Sequence, residues 1–287
     1  MKKGDKMNAI EIKSLTKYYG KQKGIENLNL SVKEGELFGF VGKNGAGKST
    51  TIRTLLNFLS PTSGEATIFG FDILKDVKKI KQITSYLPSE VSYYDKITVE
   101  GLFNYTLGFL EKKDKERVKN LSNFFELDLK RNISDLSLGN KKKVSVIQCL
   151  LKKPKLIILD EPTSGLDPLM QAKFFQVLLE EKARGCTIFL SSHNLTEIEK
   201  YCDRVAIIKN GKIVDVVERN HFRNSSKYKV KYVLKNNETK SYIFEGDLNK
   251  LTKELSKLDL LSLEVGPSSI EDEFIKYYKG EKKIETE

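Results

Sequence analysis

The chain has 287 residues with a formal net charge of +11, 39% hydrophobic and 31% charged residues. That length suits one large domain or two unequal ones, and that composition excludes a disordered or membrane-embedded chain. No stretch approaches the roughly 18 consecutive apolar residues of a spanning helix, and Gly4, Asp5, Lys6 and Asn8 stand where a signal peptide would need an apolar core. A cytoplasmic location is therefore expected. The three cysteines, Cys149, Cys186 and Cys202, lie far apart without a CxxC, and only two histidines occur. Buried free thiols are expected, not a disulfide framework or a metal centre. The positive charge is spread along the chain without an arginine-rich arm, so nucleic-acid binding is not expected. A basic surface suits proximity to anionic lipid.

In chain order, residues 8–15 and 24–32 read as strands around a Lys/Gly-rich turn, and residues 36–41 as an apolar strand entering a glycine-rich turn. Lys48–Phe58 has helical spacing, with Ile52, Leu55, Leu56 and Leu59 on one side. A more helical middle runs from Val99 to Leu151. It precedes a buried strand (Leu156–Leu159), a helix near Leu169–Ala183 and another strand (Thr187–Leu190). Residues 205–217 read as a hairpin around Asn210-Gly211, the preferred pair for a type I′ turn. Alternating strands and helices predict an α/β core with a largely parallel sheet. Polar residues from Arg219 to Lys227 read as a linker. Beyond it come strands at Tyr228–Leu234, Ser241–Phe244 and Leu261–Val265, and a helix over 247–259 with Leu248, Leu251, Leu255 and Leu258 on one stripe. Pro267-Ser268-Ser269 is a helix-start signal. The expected division is 1–220, with a helical subdomain at about 90–150, and a small α+β C-terminal domain at 221–287.

Gly42-Lys43-Asn44-Gly45-Ala46-Gly47-Lys48-Ser49 matches GxxxxGK[ST] between a strand and a helix. Glycines allow backbone N–H groups to surround phosphate oxygens, and the following helix N-terminus adds a favourable dipole. Lys48 is expected to reach the β/γ-phosphates and Ser49 to coordinate Mg²⁺, with Thr50 next in the nucleotide-binding set. Leu156-Ile157-Ile158-Leu159-Asp160-Glu161 is an apolar strand ending in carboxylates. Asp160 fits the role of holding the metal. Glu161, one residue on and facing the other way along an extended chain, is a candidate to polarise water.

Glycine loop, Leu136-Ser137-Leu138-Gly139-Asn140, Asp160-Glu161, Ser164-Gly165-Leu166-Asp167 and His193, in that order, resemble the ATPase domain of ABC transporters over about residues 8–220. The resemblance implies a P-loop NTPase fold of the ABC type, with ATP and Mg²⁺ as cofactors and ATP hydrolysis as the activity. It implies that Ser137, Gly139 and Asn140 of one subunit contact ATP held by a second, with Asp167 at the same interface. His193 falls on the switch histidine, with Lys48 and Glu161 completing the catalytic set, and Tyr19 on the aromatic that stacks on adenine, with packing as its alternative role. Ser89 stands where the family has a metal-contacting glutamine, and the signature reads LSLGN instead of LSGGQ. Partners implied are a membrane-spanning permease and a second ATPase subunit, identical or not, at the cytoplasmic membrane face. Tyr93, Tyr94 and Phe103 lie where the family receives its membrane partner; an exposed groove and core packing are both open. Tyr86-Leu87-Pro88-Ser89-Glu90 and the tail Gly266–Phe274 resemble bacterial drug- and peptide-export ATPases. A soluble ABC ATPase acting on a non-membrane partner, or a nucleotide-dependent regulator with weak hydrolysis, is the alternative. A GTPase is disfavoured because no Asn-Lys-x-Asp occurs.

Overall fold

The computed structural model describes residues 7–93, 96–218, 227–267 and Phe274. A hairpin of β1 (Asn8–Tyr19) and β2 (Gln22–Lys33) leads to β3 (Leu37–Val41) and α1 (Lys48–Leu55). Then come β4 (Ser63–Ile68), β5 (Phe71–Asp72), α2 (Val77–Ile83) and β6 (Thr84–Leu87). Three helices follow, α3 (Val99–Gly108), α4 (Lys115–Phe124) and α5 (Leu138–Leu151). Next are β7 (Leu156–Asp160), α6 (Pro168–Ala183), β8 (Thr187–Ser192), α7 (Leu195–Tyr201), β9 (Arg204–Lys209) and β10 (Lys212–Glu218). The C-terminal unit comprises β11 (Lys227–Leu234), β12 (Thr239–Glu245), α8 (Leu248–Leu255) and β13 (Leu260–Pro267).

The central sheet has the order β10-β9-β3-β8-β7-β6. It is parallel from β9 to β6, with β10 antiparallel at its edge. Its inner strands are apolar on both faces because both faces are covered. Leu37, Val41, Ile157, Leu159, Ile188, Leu190, Val205 and Ile207 pack on the helices α3–α6. Their neighbours Phe38, Phe40, Leu156, Ile158, Phe189, Ala206 and Ile208 pack the other way. There they meet a second sheet, β2-β1-β4-β5, which is wholly antiparallel. The expectation of a largely parallel sheet thus holds for the central sheet and omits this one. Between the two sheets lies α1, burying Ile52, Leu55 and Leu56.

Helix starts follow side-chain chemistry. Thr98, Asp114, Asp167 and Asn194 each accept a hydrogen bond from a backbone N–H of the first turn of α3, α4, α6 and α7. The β9–β10 turn has Asn210 at φ 49° and Gly211 at φ 76°, the left-handed pair that a type I′ turn requires. The three cysteines are buried and form no disulfide. Burial pushes the Cys149 and Cys186 thiols up to about 12.

In the C-terminal unit, β12-β11-β13 form a three-stranded sheet with its own cluster of Val230, Tyr232, Leu251 and Leu255. The leucine stripe expected over 247–259 is narrower than its sequence suggests. Leu248, the first residue of α8, is 39% exposed, and Leu258, beyond its end at Leu255, is 40% exposed. Of the expected linker 219–227, Lys227 opens β11; its residues 219–226, Tyr94, and the helix start at Ser268-Ser269 lie outside the described residues. Phe274 is half-buried against the core that also contains Phe174 and Phe175.

Phe189 is fully buried, with its ring centroid 5.9 Å from that of Phe38 and 5.3 Å from that of Phe40. Phe189→Ala should lower unfolding free energy by roughly 3–5 kcal/mol, measured by urea denaturation; a loss below about 1 kcal/mol would show that this layer repacks freely.

Candidate nucleotide-binding site

Lys43, Asn44, Gly45, Gly47, Lys48, Ser49 and Thr50 line one side of an open cleft of about 650 Å³. The turn between β3 and α1 places them there, because a strand entering a helix through glycines exposes the helix N-terminus. Gly47 is the N-cap of α1 at φ 114°, with no side chain capping the helix and no acidic residue in its first turn. A Cβ at Gly47 would stand 2.8 Å from Ile25 Cγ2, so backbone conformation and space both require glycine. Gly42 and Ala46 do not line the cleft; they hold the loop's shape. Gly42 O accepts from Lys48 Nζ at 2.7 Å, and Ala46 O accepts from Gly211 N at 2.8 Å. Uncapped N–H groups and one ammonium make a cradle for a multiply charged anion.

Asp160 ends β7 and is 1% exposed. Its Oδ1 accepts from Ser191 Oγ at 2.6 Å, across the β7–β8 pair. Its Oδ2 is buried with no hydrogen-bond partner, which is expensive unless a ligand completes it. Glu161 differs from expectation in how it is aimed. It is not extended; its φ is 49°, so a left-handed bend turns its carboxylate, not strand alternation. Its Oε1 stands 3.2 Å from Lys48 Nζ without hydrogen-bond alignment, an ion pair only. Its Oε2 lies 2.7 Å from His193 Nδ1 and accepts from His193 N at 3.4 Å. Lys48, Glu161 and His193, widely separated in sequence, thus form one polar chain at the cleft.

Three comparisons bear on this arrangement. Residues 25–164 match the ABC transporter family. The bacitracin transport ATP-binding protein BcrA of Bacillus licheniformis is 33% identical over 94% of this chain and 97% of its own length. The uncharacterized ABC transporter ATP-binding protein YcbN of Bacillus subtilis is 31% identical, again over 94% of this chain and 97% of its own.

The chain belongs to the ABC transporter ATP-binding family.

A solved structure of an ATP-binding subunit of an ABC transporter superposes with a TM-score of 0.70 at 31% identity, covering 75% of this chain and 92% of that one. Both full-length similarities extend through the C-terminal unit as well as the cassette. As a member of this family the protein is an ATPase that binds ATP. Among its described residues, no helix is long and apolar enough to cross a membrane.

The remaining sequence-predicted residues divide into two groups. Tyr19, Ser89 and Ser164 line the same cleft as the phosphate loop. The Tyr19 hydroxyl lies 3.3 Å from Thr50 Oγ1, which fixes the ring beside the loop. Ser137, Gly139, Asn140 and Asp167 do not line it. Ser137 and Asp167 are exposed N-caps, of α5 and α6, accepting from Asn140 N and Met170 N. Helix α5 begins at Leu138, so Gly139 and Asn140 sit in its first turn. Leu138 is 77% exposed at that helix start. Of the cluster for which an exposed groove and core packing were both open, the described members pack: Phe103 is fully buried, and Tyr93 lies against the core with its hydroxyl 2.8 Å from Ser145 Oγ.

Sequence reasoning missed several neighbours. Gln22, Lys23, Gly24 and Glu90 line the cleft; the first three open β2, where Gln22 and Lys23 read only as part of a Lys/Gly-rich turn and Gly24 as the start of a strand. Thr163 Oγ1 donates to Glu197 Oε2 at 2.9 Å, tying the loop after β7 to α7; burial raises the Glu197 carboxyl above the usual range. Lys142, one of three consecutive lysines, is buried, and desolvation lowers its amine below the usual range. Gly47→Ala should weaken ATP binding by about tenfold or more, the strain of a side chain there being on the order of 1–3 kcal/mol; calorimetric titration with ATP checks this, and unchanged affinity would show that the loop relaxes around a Cβ.

Proposed function

We propose that this chain hydrolyses ATP to power export of a drug, peptide or lipid-like substrate through a separate membrane subunit. The observation that carries hydrolysis, beyond binding, is Glu161, whose carboxylate faces Lys48 and His193 beside the phosphate loop. Export is supported by similarity to a bacitracin transport ATP-binding protein across 94% of this chain. The division into a cassette at 1–220, with a helical subdomain at about 90–150, and an accessory domain at 221–287 belongs to this reading.

In it, the N–H groups of Lys43–Thr50 and the Lys48 ammonium take the ATP phosphates. Lys48 exchanges its ion pair with Glu161 for the β/γ-phosphates. Glu161 is then released to orient and deprotonate water for in-line attack on the γ-phosphate. His193, leaving the same carboxylate, contacts the γ-phosphate, and Tyr19 stacks on adenine. Mg²⁺, bound with ATP, supplies charge neutralisation between the phosphates. The residues fit it: Asp160 Oδ2 is a buried oxygen without a partner, and Ser49 opens onto the cleft. Ser89, short and exposed, is assigned a water-mediated metal contact.

Ser137, Gly139, Asn140 and Asp167 lie outside the cleft of their own chain, which suits a role at the ATP of a second, facing subunit, identical or not. Two ATP molecules would then close the pair and push on the permease, at the cytoplasmic face of the membrane. Glu161→Gln should lower kcat at least about 10²-fold while retaining ATP binding and trapping a nucleotide-bound dimer, read by phosphate release and size-exclusion chromatography; wild-type turnover would remove Glu161 from the mechanism. Capture of the chain from native membranes in mild detergent should bring down a multi-spanning membrane protein whose association responds to ATP. Recovery of ribosomes or DNA instead would overturn the transport reading.

A further inference from the structure

Lys142 lies in the second turn of α5, the helix that begins at the LSLGN segment. Its side chain is only 6% exposed. Its Nζ donates to two consecutive carbonyls, Pro88 O at 3.3 Å and Ser89 O at 3.0 Å. Three residues on, and so on the same helix face, Ser145 Oγ lies 2.8 Å from the Tyr93 hydroxyl. The segment 88–93, which leaves β6 for α3, is therefore fastened to α5 at both ends. Ser89 and Glu90, within that segment, line the nucleotide cleft.

Burying an ammonium is unfavourable unless its donors are used and opposite charge is near. Here two donors are used, and the Asp160 and Glu161 carboxylates both favour the charge. A neutral polar side chain could fill the same space at less desolvation cost, so the charge itself needs an explanation. The loop supplies one. Serine at 89 gives the loop a short side chain with little hold on any ligand. The loop's position then depends on its backbone, and Lys142 holds two of its carbonyls.

We propose that Lys142 is a positioning residue for ATP hydrolysis: it sets the 88–90 loop at the nucleotide cleft by carrying it on the helix that bears the signature segment. This rests on the cleft being the hydrolytic site. Lys142 itself touches no reacting atom; it acts through the loop's backbone.

The test uses the full-length chain, with ATPase kinetics and ATP affinity measured separately, the latter by equilibrium dialysis with Glu161→Gln in the background to stop turnover. Lys142→Met should lower kcat by about tenfold, a displacement of even 1 Å being enough for losses of that order or more. ATP affinity should change less than twofold, because the phosphate loop is untouched. Lys142→Arg, which keeps a charge and several donors, should restore at least half of kcat. If Lys142→Met does not fold by circular dichroism, Lys142→Gln, with one short donor group, carries the same test and should fall between wild type and a tenfold loss. Unchanged kcat in a folded variant, or a loss that Lys142→Arg does not relieve, overturns the proposal alone. A wild-type chain that binds ATP without hydrolysing it overturns the hydrolytic reading, and the proposal with it.

Discussion

Parallel pairing decides where the chemistry can be. Parallel strands end on one edge of their sheet, and β3, β8 and β7 are adjacent. The residues that leave those three ends are the phosphate loop, the 193 segment and Glu161. Register fixes the rest, since Asp160 pairs with Ser191 and Val41 with Ser192. Side chains far apart in sequence are thereby brought within ion-pair distance at Glu161, whose two oxygens address Lys48 and His193. A one-residue slip of β7 would turn the Asp160 carboxylate to the other face of the sheet and displace the bend at Glu161 from Lys48 and His193.

The same edge concentrates unmet electrostatic demand. An α-helix N-terminus without a cap, an aspartate oxygen without a partner and an ion-paired lysine all open toward or lie beneath one cleft. The first two would be defects in a purely structural protein, whereas Lys48 is already paired with Glu161. Together they describe what is missing: a polyanion for the N–H groups and lysine, and a cation for the aspartate.

How much of this could be read beforehand depended on whether local sequence controlled the outcome. The central strands were legible, because burial on both faces writes a continuous apolar run. The phosphate loop was legible because each glycine answers a backbone need. The segment 63–87 was not: β4 opens with the exposed Ser63-Gly64-Glu65, and its partner β5 has two residues, so neither carries a period. Glu161 lines the cleft, but how it is aimed was not legible, since its left-handed backbone is not a property of Glu. Lys142 was hidden by its neighbours. Lys141, Lys142 and Lys143 carry no apolar signal in sequence, and only the helical period, through packing against the 88–93 segment, turns the middle one inward. Phe103 went to the core for the same reason, as an inward position of α3.

The β9–β10 turn has a consequence of its own. Hairpin tips ordinarily answer only to their own strands and tolerate change for that reason. At this tip, Gly211 N donates to Ala46 O and Gly211 O accepts from Glu26 N, both at 2.8 Å. A Cβ on Gly211 would stand 2.8 Å from Gly24 O. One glycine thus fastens the phosphate loop to the edge of the antiparallel sheet, and the strand leaving it leads on to the C-terminal unit. What looks like a disposable surface loop is a rivet between two sheets, and the phosphate loop is one of the parts it joins.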